Sequence, residues 1–130
     1  MNLDWLLGFI EAKGSFSIPI QSGYTPRPKF TLNTSIKYER VMKKIWNFFV
    51  NRKLEPYPLK ILDGKIIKLE IKGVERCLRL YDLLSKLNWQ TVKRDSFLKW
   101  GQILIKIKEK RHLNEDERLL LFIQCREINS

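Results

Sequence analysis

The side chains in this sequence that could do chemistry are mostly cations, hydroxyls and amides, and they alternate. Lys29, Thr31, Asn33, Ser35 and Lys37 are spaced by two, as are Ser15 and Ser17, and Lys68 and Lys72 fall on the polar phase of a later alternation. Together with Gln21 and Lys60 they form a set that can neutralise phosphate and hydrogen-bond base edges. The other reading of the same pattern is an ordinary solvated face. Charge weighs for binding: 25 Lys plus Arg against 14 Asp plus Glu give a net charge of +11 on 130 residues. So large an excess on so small a surface points to a polyanionic partner. Groups for other chemistries are scarce. Cys77 and Cys125 lack metal-type spacing and read as a reduced, buried pair suited to an intracellular chain, and the lone His112 argues against zinc. Lys106, Lys108, Lys110 and Arg111 are a solvated face or a further phosphate contact.

The elements that must position these groups follow from periodicity. Leu3, Leu6, Leu7 and Ile10 recur at helical spacing, and Gly14 supplies a stop. Phe16, Ile18 and Ile20 then alternate with Ser15, Ser17 and Pro19 as in a strand, and residues 22–28 read as a loop. Phe30, Leu32, Thr34 and Ile36 form the apolar side of a second strand. Residues 39–50 are helical, with Val41, Ile45, Phe48 and Phe49 as the apolar stripe. The pattern then recurs. Tyr57, Leu59 and Ile61 make a strand that Pro56 and Pro58 render irregular or place at an edge, Asp63-Gly64 is a hairpin turn, and Ile67, Leu69 and Ile71 return. Helices are predicted over 74–87, 92–109 and 114–128, the last capped by Asn114 with Glu117. One face of four antiparallel strands must be covered by the helices, which leaves the Lys, Ser, Thr and Asn face open.

Composition bounds the rest. At 44% hydrophobic and 30% charged, the chain can build a core, and 130 residues fit a single domain, 1–130. Its longest apolar run, residues 119–123, is far short of the roughly 20 residues of a membrane span. Asp4 and Glu11 interrupt the N-terminal apolar stretch, so a secretory signal is not expected. One Ala against 16 Lys and 14 Ile implies an AT-rich gene, for which a mitochondrion or another organelle is a natural source.

The segment Trp5-Leu6-Leu7-Gly8-Phe9-Ile10-Glu11-Ala12-Lys13-Gly14, continued by Ser15-Phe16, resembles the signature of the LAGLIDADG homing endonucleases and the related intron maturases. The predicted order α-β-β-α-β-β-α with extra C-terminal helices is similar to theirs over the whole chain. The resemblance implies an α+β fold with a four-stranded antiparallel saddle sheet backed by helices. It also implies a single-motif member that pairs as a homodimer through Gly8 and Ala12, four apart on one face of the first helix, or that sits in a larger ribonucleoprotein. In such enzymes the acid before the final glycine binds Mg²⁺, which activates the attacking water.

Here that position is Lys13, a cation that would repel the metal. Glu11 stands two residues away, about 200° around the helix, and cannot replace it without remodelling the turn. Lys93 matches the family's basic residue near the reaction centre, and with Arg94 it can still neutralise phosphate. The expectation is therefore a nucleic-acid-binding protein without cofactor that does not cleave, with RNA favoured over DNA and no membrane role. The rival is a DNA endonuclease, active or inactivated.

Overall fold

The computed structural model describes all residues except Tyr24 and Ser130, and all side chains but those two and those of Arg111 and Asn129. The first helix, α1 (Leu3–Lys13), starts at Asn2, whose Oδ1 accepts from the Trp5 amide at 3.0 Å, and carries Asp4 in its first turn and Lys13 in its last. Both charges complement the helix dipole. Gly14 ends α1, as predicted, in extended backbone (φ −84°). Its glycine is a matter of room: a Cβ there would lie 2.8 Å from the Ile10 carbonyl oxygen and 3.1 Å from the Phe30 ring.

Four strands form the main sheet in the order β1 (Gly14–Ser17), β4 (Lys29–Ser35), β6 (Ile66–Lys72) and β5 (Lys60–Leu62), every pair antiparallel. The alternation predicted through Ile20 breaks at Pro19. Ile20 and Gln21 instead form β2 (Ile20–Gln21), which pairs in a small separate ribbon with β3 (Thr25–Pro26), a strand inside the predicted loop, whose Tyr24 lies outside the described residues. The strand predicted from Tyr57 shortens to the edge strand β5, because Pro56 and Pro58 cannot donate to a ladder. The Asp63-Gly64 turn forms as predicted: both residues have positive φ, 53° and 65°, and the Lys65 amide bonds back to the Leu62 carbonyl.

The helices α2 (Glu39–Asn51), α3 (Val74–Ser85), α4 (Lys93–Lys108) and α5 (Glu115–Asn129) complete the chain, with short 3₁₀ turns at Ile36–Tyr38 and Arg111–Leu113. Asn114 caps α5 by accepting from the Asp116 and Glu117 amides. One apolar core lies between the helices and one face of the sheet. Phe30, Leu32, Leu69 and Ile71 meet Ile10 of α1, Ile45 of α2, Leu80 of α3 and Trp100 of α4 there, all fully buried. Phe16 carries the aromatic centre, touching Phe30, Trp89, Phe97 and Trp100 at centroid distances of 4.8–6.1 Å. The Trp100 Nε1 donates to the Ser17 carbonyl at 3.2 Å, which fixes β1 to α4. Cys77 and Cys125 are free and buried, as predicted. No helix of the described residues is long and apolar enough to cross a membrane.

Candidate nucleic-acid interface

Strand register decides which predicted side chains meet. Because successive side chains alternate between faces, the face away from the core is built from lanes that run across the strands. Ser17, Lys29 and Lys72 form one lane, Ser15, Thr31 and Glu70 the next, and Asn33, Lys68 and Lys60 the third. A fourth lane, Ser35, Ile66 and Leu62, is largely apolar, and both its aliphatic residues are exposed. Nine of the residues singled out from sequence therefore share one face: Ser15, Ser17, Lys29, Thr31, Asn33, Ser35, Lys60, Lys68 and Lys72. Thr31 is buried there, whereas Ser15, Asn33 and Lys60 are exposed.

The others lie elsewhere. Gln21 belongs to the β2–β3 ribbon and accepts from Arg27 Nε at 2.6 Å, because Pro19 ended the strand that should have carried it. The ribbon folds back, so that Gln21, Arg27, Lys29, Lys72 and Arg76 still line one depression of about 660 Å³ at the end of β4 and β6. Lys37 lies past β4 in a 3₁₀ turn, its Nζ 5.4 Å from the Tyr38 ring centroid. Lys106 and Lys108 have protein partners, Gln124 at 3.1 Å and Glu75 at 2.5 Å, which argues against a free phosphate contact.

Glu70 changes the character of the face. Its carboxylate is only 4% exposed and sits among three ammonium groups: Lys60 at 3.4 Å, Lys68 at 3.7 Å and Lys72 at 3.7 Å. Burial works against its ionisation, but the charges of Lys68 and Lys72 and the hydrogen bond from Lys60 outweigh that, so its pKa lies below the ordinary glutamate value. Lys72 is held a second time, 5.0 Å from the Tyr57 ring centroid. The signal in the sequence was Lys68, Glu70 and Lys72 at spacing two, which puts an acid on the same strand face as its cations.

The second feature is the corner where α1 ends. Lys13 is exposed there, while Glu11 is buried on the other side of the helix, as the 200° rotation requires. Glu11 Oε1 accepts three hydrogen bonds: from the Gln90 amide at 2.9 Å, the Thr91 amide at 2.7 Å and the Thr91 hydroxyl at 2.9 Å. It thus caps the turn leading into α4. Sequence reasoning missed that role because both partners lie 79 and 80 residues away. Lys93 opens α4 and donates through Nζ to the Gly14 carbonyl, which brings it beside the residue that follows Lys13. Partial desolvation pushes its pKa down, and the Glu11 charge opposes that. Glu11, Gly14, Ser15, Thr91, Lys93 and Ser96 line a depression of about 470 Å³ that joins this corner to the sheet face through Ser15. Arg94 is exposed one residue further on.

A divalent cation of the kind the family uses does not fit this donor set. Lys13 offers a positive charge, Lys93 adds a second, and Glu11 already serves three donors through one oxygen. Among the described residues no three His, Cys, Asp or Glu side chains converge as a metal site.

A helix-backed antiparallel sheet with one polar, basic face, entered by a short helix ending in Ala-Lys-Gly, defines a homing-endonuclease-like fold. The sequence model of the LAGLIDADG endonucleases matches residues 6–104, and the chain belongs to that family. Its fold is similar to the homing endonuclease I-TnaI (20% identity, TM-score 0.85, covering 100% of this chain and 89% of that one). It is also similar to the LAGLIDADG meganuclease I-AabMI bound to uncleaved DNA (21% identity, TM-score 0.85, covering 99% and 45%). A third likeness is to the LAGLIDADG homing endonuclease I-GzeII in complex with its DNA target (21% identity, TM-score 0.79, covering 94% and 41%). The chain therefore spans less than half of the latter two. No curated protein matches.

Proposed function

We propose that this chain binds nucleic acid through the open face of its sheet and does not cleave it, as a maturase-like or structural ribonucleoprotein component descended from a homing endonuclease. The observation that carries the reading is Lys13, exposed at the end of α1, with Glu11 committed to the Gln90–Thr91 turn. A cation there gains from the negative end of the helix dipole, whereas an acid there would be retained only for chemistry. I-AabMI and I-GzeII are bound to DNA in their structures, which supports a nucleic-acid partner for the shared fold. RNA is favoured, since binding without cutting is the task left once the acid is gone, and the maturase branch of the resemblance works on RNA. The AT-rich composition fits an organellar setting.

The rival reading, DNA bound by a homodimer, has one observation in its favour. Gly8 and Ala12 lie on an exposed face of α1, and a Cβ on Gly8 would meet nothing within 4 Å. The small residues therefore do not serve packing within the chain, and a second copy is an occupant that fits.

The test is direct. Incubated with bound nucleic acid and Mg²⁺ or Mn²⁺, the unmodified chain leaves it intact, and specific cleavage would put the endonuclease first. The Lys13→Asp form run beside it is expected to gain metal affinity at a cost of about 0.3–1 kcal/mol in helix stability.

A further inference from the structure

We infer that Glu70 with Lys60, Lys68 and Lys72 is a discriminating cluster, which bars phosphate from the centre of the open face and admits instead the exocyclic amine of a base, as in cytosine or adenine. The inference rests on the reading of that face as the nucleic-acid interface.

The lanes of the sheet carry the argument. Lys29 and Lys72 stand in one lane, Lys68 and Lys60 in another, and between them runs the lane of Ser15, Thr31 and Glu70, which holds no cation. Lys68 and Lys72 are four residues apart on β6, so the basic lanes are separated by about 13 Å at roughly 3.3 Å per residue. That is room for backbone phosphate on two sides of a base, with a carboxylate in the middle.

Glu70 is also misplaced if affinity were the only requirement. It stands on the face away from the core, so the fold gains no apolar packing from it, and it removes one charge from a surface that otherwise gathers positive charge. A neutral residue there would release three ammonium groups for phosphate. An arrangement that gives up affinity in this way fits selection between ligands.

The geometry supplies the mechanism. None of the three Nζ atoms comes closer than 3.4 Å, outside the 2.7–2.9 Å typical of a tight charged hydrogen bond. None of the three is locked to the carboxylate by a tight bond, and their side chains are 25–54% exposed, so they can turn to an arriving phosphate. As they turn, the carboxylate loses its partners, and without water it needs a donor. A carboxylate only accepts, so it repels phosphate and is satisfied by an amino group such as cytosine N4 or adenine N6. Uracil and thymine have no exocyclic amine and leave it unsatisfied, a mismatch of about 1–3 kcal/mol, or roughly 5- to 150-fold. Duplex grooves and unstacked single strands present the same amines, so the chemistry holds for either nucleic acid.

The test uses fluorescent 20-mers of C, A and U ribonucleotides and of dC, dA and dT, titrated by anisotropy across salt with the full chain. Wild type should bind C and A oligomers tenfold or more tighter than U or dT, with strong salt dependence. Glu70→Gln should tighten U and dT to within about twofold of C and steepen the salt slope by about 1–2, while Glu70→Asp, which keeps the charge, should retain the preference. A C-to-U ratio that is the same in wild type and Glu70→Gln, with salt-dependent binding intact, overturns the inference and leaves the interface standing. Flat, weak binding of every oligomer by wild type overturns both. Comparison of the ribo and deoxy series separates RNA from DNA as the source of the amine.

Discussion

The corner at the end of α1 and the open face of the sheet use the same residue types in opposite ways. At the corner Glu11 and Lys93 are tied to backbone: Glu11 holds the amides of Gln90 and Thr91, and Lys93 holds the Gly14 carbonyl. On the sheet the charges are tied to one another, at 3.4–3.7 Å, with Lys72 also over the Tyr57 ring, and their lysines remain partly exposed. Backbone-anchored groups maintain geometry, and loosely paired ones are available to a ligand. A corner built for metal chemistry would be expected to keep its acid free, and in this chain the acid is structural.

The largest effect that separates the two regions should come from the sheet. Replacing Lys29, Lys60, Lys68 and Lys72 with Ala, with Glu70→Gln so that no carboxylate is stranded, should lower affinity on the order of 10²–10³-fold at low salt and reduce the salt slope by about 3–4. Stability by urea unfolding should change little. Unaltered binding would move the interface off this face and end the contrast.

Glu11→Ala should do the reverse. It removes the shared acceptor of two backbone amides and a hydroxyl in a turn whose residues are themselves exposed, so about 1–2 kcal/mol of unfolding free energy should be lost after water takes up part of the bonding, while the protein that remains folded keeps its affinity and salt slope. A variant as stable as wild type would mean that the Gln90–Thr91 turn does not depend on the carboxylate.

The smallest effect is diagnostic by its sign. Gly8→Ala has room in the single chain and should raise monomer stability by up to about 1 kcal/mol through helix propensity. If α1 meets a second copy at this face, sedimentation should instead show weakened association for Gly8→Ala and none for Gly8→Leu. A wild-type chain that sediments as a monomer at high concentration removes the homodimer from consideration.

Most of the fold, though not this contrast, could be read from the residues in advance, for physical reasons that differ by element. The helix ranges come within about two residues because their apolar stripes repeat over three or more turns, and Asp63-Gly64 specifies its turn through positive φ alone. Which residues share the open face followed from a period of two, whereas their lanes across the strands came from the register. The errors fall at prolines and at distant contacts. Phe16 to Ile20 alternates correctly, yet Pro19 cannot donate, so the strand stops at Ser17 and Gln21 goes to another ribbon. Tyr57 is similarly kept outside β5, its amide reaching only the Glu70 carbonyl at 2.9 Å. Glu70 was not singled out from the sequence, and it lies buried on the open face with three lysine ammonium groups within 3.7 Å.

The buried cysteines carry a practical consequence. Desolvation raises the Cys77 thiol to about 12 and that of Cys125 to about 11, so at neutral pH the reactive thiolate of Cys77 is roughly one part in 10⁵. Alkylating reagents and mild oxidants should therefore pass both by while the chain stays folded. A cysteine introduced at Gly8 or Ser15 would be the one position open to a spin label or a crosslinker, and either surface could be mapped without first removing the native sulfur.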